Sequence, residues 1–273
     1  MDENKRKRVG LALGGGVARG LAHIGVLSVL DEAGISIDFV AGTSAGSLIG
    51  ATYCAGLSID RIKEIAMQVR WWHIARPVWP VRGFVSFERM AHWLVVALGD
   101  LDFADLKIPF AAVATDLDTG RPVKLHQGRL APAVQASCSV PGFVQPVEIG
   151  GHLLGDGSLA NTVPVSILRE MGADFVIGVD IFTSSIRLRW GPFGMGFTAL
   201  EILVQRAGGG IDDADCLIVP KLGGESYLRF SRKEKFYQLG RDAAHEKLDS
   251  LRAALGVIPS DQASSPAASL SLN

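Results

Sequence analysis

The sequence predicts an α/β protein, a mostly parallel sheet with helices on both faces. Three observations carry that prediction. Short apolar runs alternate with longer helical patterns, glycine turns bound the runs, and 48% of the 273 residues are hydrophobic, enough to fill a sizeable core. Residues 8–13 (RVGLAL) read as a buried strand. A glycine turn follows, then a helix with Leu21, Ile24, Leu27 and Leu30 at helical spacing, closed by Gly34. A second strand, 37–43, leads into a second, nearly all-apolar helix over 45–56. Helices of this length between short strands are crossover connections, which parallel strands require. Ser58 is placed to cap a third helix with Ile59, Ile62, Ile65 and Val69 on one side.

Residues 71–85 (WWHIARPVWPVRGFV) hold two prolines and three tryptophans and fit no regular element, so a loop with an aromatic surface is expected. A helix over 87–98 comes next. The apolar run 108–115 and the segment 121–126 are spaced to pair across the DTG turn at 118–120. A short helix near 130–138 precedes apolar pieces at 143–155, which end in DGS at 156–158. Helix 164–171 and strand 174–181 resume the alternation. A capping-box pattern from Ser231 to Glu234 opens a last helix, with Phe236, Leu239, Ala243 and Leu251 facing inward. One domain over 1–259 is expected, with a disordered Ser/Ala-rich tail over 260–273.

Composition narrows the function. Lys and Arg number 27 against 28 Asp and Glu, a net charge of −1, which speaks against nucleic acid. Cys54, Cys138 and Cys216 are odd in number and far apart, as buried thiols in a reducing compartment are, and suggest neither disulfides nor zinc. The basic stretch near the start meets three glycines after five residues, and no apolar run approaches a membrane span. The expectation is a cytoplasmic protein, soluble or peripheral at a membrane, with no cofactor.

Chemistry concentrates in the glycine-rich turns. GTSAG at 42–46 sits between a predicted strand and a predicted helix, where a nucleophile elbow belongs: Gly42 and Gly46 permit a tight turn that leaves Ser44 at the helix N-terminus. The plainer reading is a serine capping a helix. GGGVARG at 14–20 joins strand to helix in the same way, and its amides are placed to hold a developing negative charge. A dinucleotide fingerprint fails there, because the required glycines fall on Arg19 or Val17 and the nearest acid, Asp38, lies at the wrong end of the second strand. Arg19 either pins this loop through hydrogen bonds or is a solvated residue at the helix start. No base is evident among His23, His73, His92, His126, His152 and His245; only His245 follows the best acid, on a charged helical face. A carboxylate can take the serine proton directly where water is excluded. Asp156 is the candidate, because Gly157 beside it allows close approach; the alternative is an ordinary Asp-Gly turn.

In order along the chain, GGGVARG, GTSAG, ASCSVPG at 136–142 and GDGS at 155–158 resemble the motifs of the patatin-like phospholipases, especially their bacterial branch. The resemblance spans roughly 9–181 and covers the C-terminal third only loosely. It implies a three-layer α/β/α domain and a Ser-Asp dyad that needs neither histidine nor metal. The implied reaction is hydrolysis of fatty-acyl esters of phospholipids or lysophospholipids through an acyl-enzyme. Carried over, Ser44 is the nucleophile, Asp156 the base, and the amides around Gly15, Gly16 and Val17 the oxyanion hole. The sequence departs from the pattern at Val17, where many bacterial members have glycine, and at Ser158, which replaces Gly or Ala. Two other classes stay open: a regulatory binding protein that keeps the fold without turnover, and a dinucleotide-binding oxidoreductase. Trp71, Trp72, Trp79 and Trp93, beside Phe84 and Phe87, suit either an interfacial lid or acyl-tunnel mouth, or else a minicore or dimer contact. The expected partner is a lipid or other acyl ester, with peripheral membrane contact.

Overall fold

Alternation along the strands sorts most of the apolar side chains into two main cores, with a small third cluster around Ala114, Ala136 and Leu154. The computed structural model describes residues 6–182, 191–208, 210–223 and 232–257. Its first elements are β1 (Val9–Leu13), α1 (Leu21–Glu32), β2 (Phe39–Thr43), α2 (Ala45–Cys54) and α3 (Ile59–Gln68). Next come α4 (Trp71–Ile74), β3 (Arg76–Pro77), β4 (Val85–Ser86), α5 (Glu88–Leu98), β5 (Phe110–Asp116), β6 (Pro122–Leu125) and α6 (Leu130–Ser137). The chain continues through β7 (Val147–Ile149), β8 (His152–Asp156), α7 (Val165–Met171), β9 (Phe175–Val179), α8 (Gly191–Arg206), β10 (Cys216–Ile218) and α9 (Lys233–Leu255).

Strands β10, β9, β1, β2 and β5 pair in parallel in that order, and β6, β8 and β7 extend the sheet in antiparallel fashion. Leu11, Leu13, Val40 and Ile177 point into the larger core, and Ala12, Ala41, Ala111 and Val176 into the other, beneath Val165 and Leu168 of α7. Helices thus cover both faces, and the three layers follow from the period of two along each strand. Ser58 caps α3 by accepting from the Arg61 amide at 3.3 Å. Among the described residues no helix is long and apolar enough to cross a membrane.

The stretch 71–85 is more ordered than its composition predicts. Trp71–Ile74 closes one helical turn, and Arg76–Pro77 pairs with Val85–Ser86. Pro77 is tolerated because the ladder is only two rungs long and isolated from the main sheet, so a missing N–H interrupts nothing, and Pro80 lies in the connecting turn. The expected tail, 260–273, and Ser231 of the expected capping box lie outside the described residues; in α9, Phe236, Ala243 and Leu251 are buried and Leu239 is half-buried.

Helices α1 and α9 touch backbone to backbone. A Cβ on Gly25 would overlap the Tyr237 carbonyl, and one on Gly240 the Ala22 carbonyl. Neither backbone can yield without separating the helices. Gly240→Ala is therefore expected to destabilise the protein by about 1–3 kcal/mol, lowering Tm by roughly 2–10 °C; an unchanged thermal melt would show that the helices slide apart at no cost.

Candidate active site

Strand register brings the serine turn to the aspartate. Phe110–Val113 of β5 pairs with β2, and Ala114–Asp116 pairs with β8, while β6 pairs with Ala112–Thr115. Each residue of a strand has only two pairing edges, so β2 and β8 lie along the same edge of β5 and meet end to end. Thr43 stands opposite Val113 and Asp156 opposite Ala114, the adjacent rung. The chain leaving β2 has no room to continue and turns at Ser44, with φ 53° and ψ −121°. A non-glycine residue in such a conformation costs about 1–3 kcal/mol. Hydrogen bonds hold the turn. The Ser44 amide donates to Ser137 Oγ at 2.9 Å, Ser137 Oγ donates to the Val113 carbonyl at 2.6 Å, and the Ser44 carbonyl accepts from the Ser47 amide at 2.9 Å and hydroxyl at 2.7 Å. Side chains are excluded around it: a Cβ on Gly46 would overlap the Leu13 carbonyl, one on Gly157 the Val113 carbonyl, and one on Gly42 would stand 2.5 Å from the Gly46 carbonyl.

Asp156 is only 4% exposed and Ser44 6%. The Asp156 amide donates to the Ser139 carbonyl at 2.8 Å, and its own carbonyl accepts from Thr115 Oγ1 at 2.8 Å, which fixes the backbone. Burial raises the pKa of the carboxyl above its ordinary value; hydrogen bonds from the Ser158 amide, the Ser44 side chain and the Ser158 side chain oppose that shift. The Ser158 amide donates to Oδ1 at 2.9 Å.

The glycine loop is anchored on three sides. The Gly14 amide donates to the Val179 carbonyl at 3.0 Å, and the Gly14 carbonyl accepts from His23 Nε2 at 2.8 Å. Burial lowers the pKa of His23 to about 4, so near neutral pH it is an uncharged donor committed to the loop. The Gly15 amide donates to the Thr162 carbonyl at 3.3 Å, which corrects the expectation that it faces an oxyanion. Gly15 matters instead for space, because a Cβ there would overlap Ser158 Oγ. The Gly16 and Val17 amides donate to no acceptor among the described residues. Val17 has φ 50°, rare for a β-branched residue and a local strain. Arg19 is fully buried and donates to the Ile181 carbonyl at 3.4 Å, so of its two readings the solvated one is overturned.

Two cavities meet at Ser44. One, of about 440 Å³, is almost wholly apolar and runs past Ile49, Ile62, Trp71, Phe87 and Trp93. The other, about 70 Å³, holds Asp156, Ser158, Gly16 and Glu201. Ser44 and Val17 line both, and no histidine lines either. His152 pairs instead with Asp116 at 2.8 Å, and His245 is exposed. The tryptophans divide: Trp71 and Trp93 line the large cavity, whereas Trp72, Trp79 and Phe84 face outward. Sequence reasoning gave Ser137 no role of its own, although it lies in the ASCSVPG block, and it passed over α8, which supplies Glu201 and Val204 to the small cavity. Residues 182–230 show no motif that would have signalled the latter.

A parallel sheet with a glycine turn after β1 and a serine elbow after β2 defines an α/β protein of the elbow-serine kind. The family model described as Patatin-like phospholipase matches residues 11–169, more than half of the chain, and the chain belongs to that family. It is 36% identical over 177 residues to an uncharacterized NTE family protein of Mycobacterium tuberculosis, across 64% of this chain and 49% of that protein. It thus spans about half the length of that relative. It is 29% identical over 281 residues to lysophospholipase nte1 of Aspergillus fumigatus, across 90% of this chain and 18% of that one. It is also 39% identical over 188 residues to human patatin-like phospholipase domain-containing protein 6, across 63% and 13%. The structure of VipD from Legionella pneumophila shares the fold, with a TM-score of 0.57 at 15% identity over 90% of this chain and 67% of that one.

Ser137→Ala removes the acceptor of the Ser44 amide at a buried site. The expected loss is about 1–3 kcal/mol of stability, the cost of an unsatisfied buried donor, measured by denaturant unfolding; a loss below that range would show that another group takes over the amide.

Proposed function

We propose that this chain is a serine acyl hydrolase that cleaves fatty-acyl esters of phospholipids or lysophospholipids through Ser44 and Asp156. The observation that carries the reading is the position of Ser44, at the junction of a large apolar cavity and a small cavity that holds a buried carboxylate. A volume near 440 Å³ is that of a ligand site and suits an acyl chain. The relative named a lysophospholipase supports a lipid ester as substrate.

The steps follow from the groups at hand. Asp156 takes the Ser44 proton as Oγ attacks the ester carbonyl, and the carbonyl oxygen becomes an oxyanion facing the Gly16 and Val17 amides. The positive end of the α2 dipole, at Ser44, favours the same charge. The C–O bond then breaks, Asp156 returns the proton to the departing alcohol oxygen, and an acyl-Ser44 ester remains. Water attacks this ester and gives a proton to Asp156, the fatty acid leaves, and Ser44 recovers its proton. The elevated pKa of Asp156 serves both halves, since a carboxylate of ordinary acidity is a weak base toward a hydroxyl.

A fluorophosphonate probe followed by peptide mapping should label Ser44, and Ser44→Ala should abolish both label and ester hydrolysis. Asp156→Asn should lower turnover by about 10²–10⁴, the usual worth of a general base. Labelling elsewhere, or undiminished hydrolysis by Ser44→Ala, refutes the assignment; absence of any label on folded protein favours the binding-protein reading. The Ser158 hydroxyl pulls the Asp156 pKa down, so Ser158→Ala should raise it. The rising limb of the pH–rate profile, which needs the carboxylate ionised, should then move to higher pH, and a profile that stays put or moves down would exclude Asp156 as the base.

A further inference from the structure

Outside the two cavities, and among the described residues, several large apolar side chains left in solvent gather on one segment. Trp79 is 84% exposed, Val81 76%, Trp72 59% and Phe84 54%. The charge of this segment differs from that of the whole chain. Residues 70–93 contain Arg70, Arg76, Arg82 and Arg89 against Glu88 alone, a formal +3, in a protein whose net charge is −1. Arg76 pairs with Glu88 at 2.5 Å. Arg70 lies over the Trp72 ring at 5.3 Å, Arg89 donates to the Trp72 and Ala75 carbonyls at 3.2 and 3.4 Å, and Arg82 is exposed. None of these three has a carboxylate partner among the described residues.

The segment is not a free-hanging loop. The Phe84 amide donates to the Phe143 carbonyl at 2.8 Å, and the Gln145 amide donates to the Val85 carbonyl at 2.8 Å. Phe143 in turn packs against Trp71, centroids 5.9 Å apart, and both rings line the large cavity. The exposed rings and unpaired guanidiniums are therefore fastened to the wall of the acyl-sized cavity.

We propose that this surface, the 76–86 hairpin with Arg70 and Trp72, docks on an anionic phospholipid bilayer. Tryptophan and phenylalanine at the tip enter the interface, where amphipathic rings are favoured. Arg70 and Arg82 meet lipid phosphates, which guanidinium matches in geometry as well as charge. A second copy of the chain fits worse, because two such faces would bring like charges together around their apolar tips. The docked orientation sets the cavity beside the bilayer, so an acyl chain passes from lipid to protein with little exposure to water. The inference adds a binding surface to the proposed hydrolase, and its test does not depend on turnover.

The test uses Ser44→Ala protein, which cannot consume the lipid, and co-sedimentation with phosphatidylcholine vesicles with and without phosphatidylglycerol. Binding should favour the anionic vesicles and weaken with salt. The double variant Arg70→Gln, Arg82→Gln should lose about 25-fold in affinity for them, about fivefold for each arginine at such a surface, and Arg82→Gln alone, which breaks no contact, about fivefold. Trp79→Ser with Phe84→Ser should weaken binding to both vesicle types while the thermal melt stays unchanged. Equal binding to both vesicles, undiminished binding by Arg82→Gln, or no vesicle binding with a dimer in sedimentation overturns the proposal. Fluorophosphonate labelling of unmutated protein reports on the hydrolase separately, so either reading can fail alone.

Discussion

The meeting of β2 and β8 along one edge of β5 is the constraint on which the rest of this structure depends. Two strands that run toward each other on a shared edge must both leave it where they meet, one after Thr43 and the other after Asp156. Their departures bring the serine turn and the aspartate turn together. The backbone strain at Ser44 is the consequence, and the glycines at 42, 46 and 157 are the accommodation, since carbonyls of Leu13, Gly46 and Val113 occupy the places their side chains would need.

Packing this tight buries polar groups, and each needs a partner. Ser137 bridges the Ser44 amide to the Val113 carbonyl, and Thr115 and Ser139 hold the two backbone groups of Asp156. His23 and Thr162 anchor the glycine loop at Gly14 and Gly15. The loop's committed donors and acceptors lie at its start, and the amides of Gly16 and Val17 donate to no acceptor among the described residues. Electrostatics act in the same direction. Burial raises the pKa of Asp156 and lowers that of His23, so a carboxyl of weakened acidity and an uncharged imidazole coexist within the protein interior.

The aromatic segment shows how one stretch of sequence serves two surfaces. Ile74, Ala75 and Phe87 are buried, Trp71 and Trp93 line the cavity, and Trp72, Trp79 and Phe84 remain in solvent. The minicore and the exposed face are thus parts of one continuous stretch, formed by α4, the hairpin and the start of α5. The inward residues give the cavity its wall, which in turn holds the outward ones in place.

Much of this was legible along the chain. Outside 71–85, apolar period and glycine turns gave most of the order of strands and helices from β1 to β9; the GTSAG elbow drew attention to Ser44 because it sits between a strand and a helix, and the small neighbours in GDGS, with the family resemblance, drew it to Asp156. Composition misled at 71–85, where prolines hid a two-rung hairpin, and the family resemblance assigned an oxyanion role to Gly15, whose amide is already taken by Thr162. Local sequence determines periodicity, turn chemistry and where the chain is free of side chains, because these depend on neighbours a few residues away. Only the tertiary structure decided that two turns 112 positions apart share one edge of β5, that Ser137 supports the elbow, and which amides of the glycine loop are already taken. Pairing register and hydrogen-bond partners are set by strands brought together from distant parts of the chain, and no local pattern encodes them.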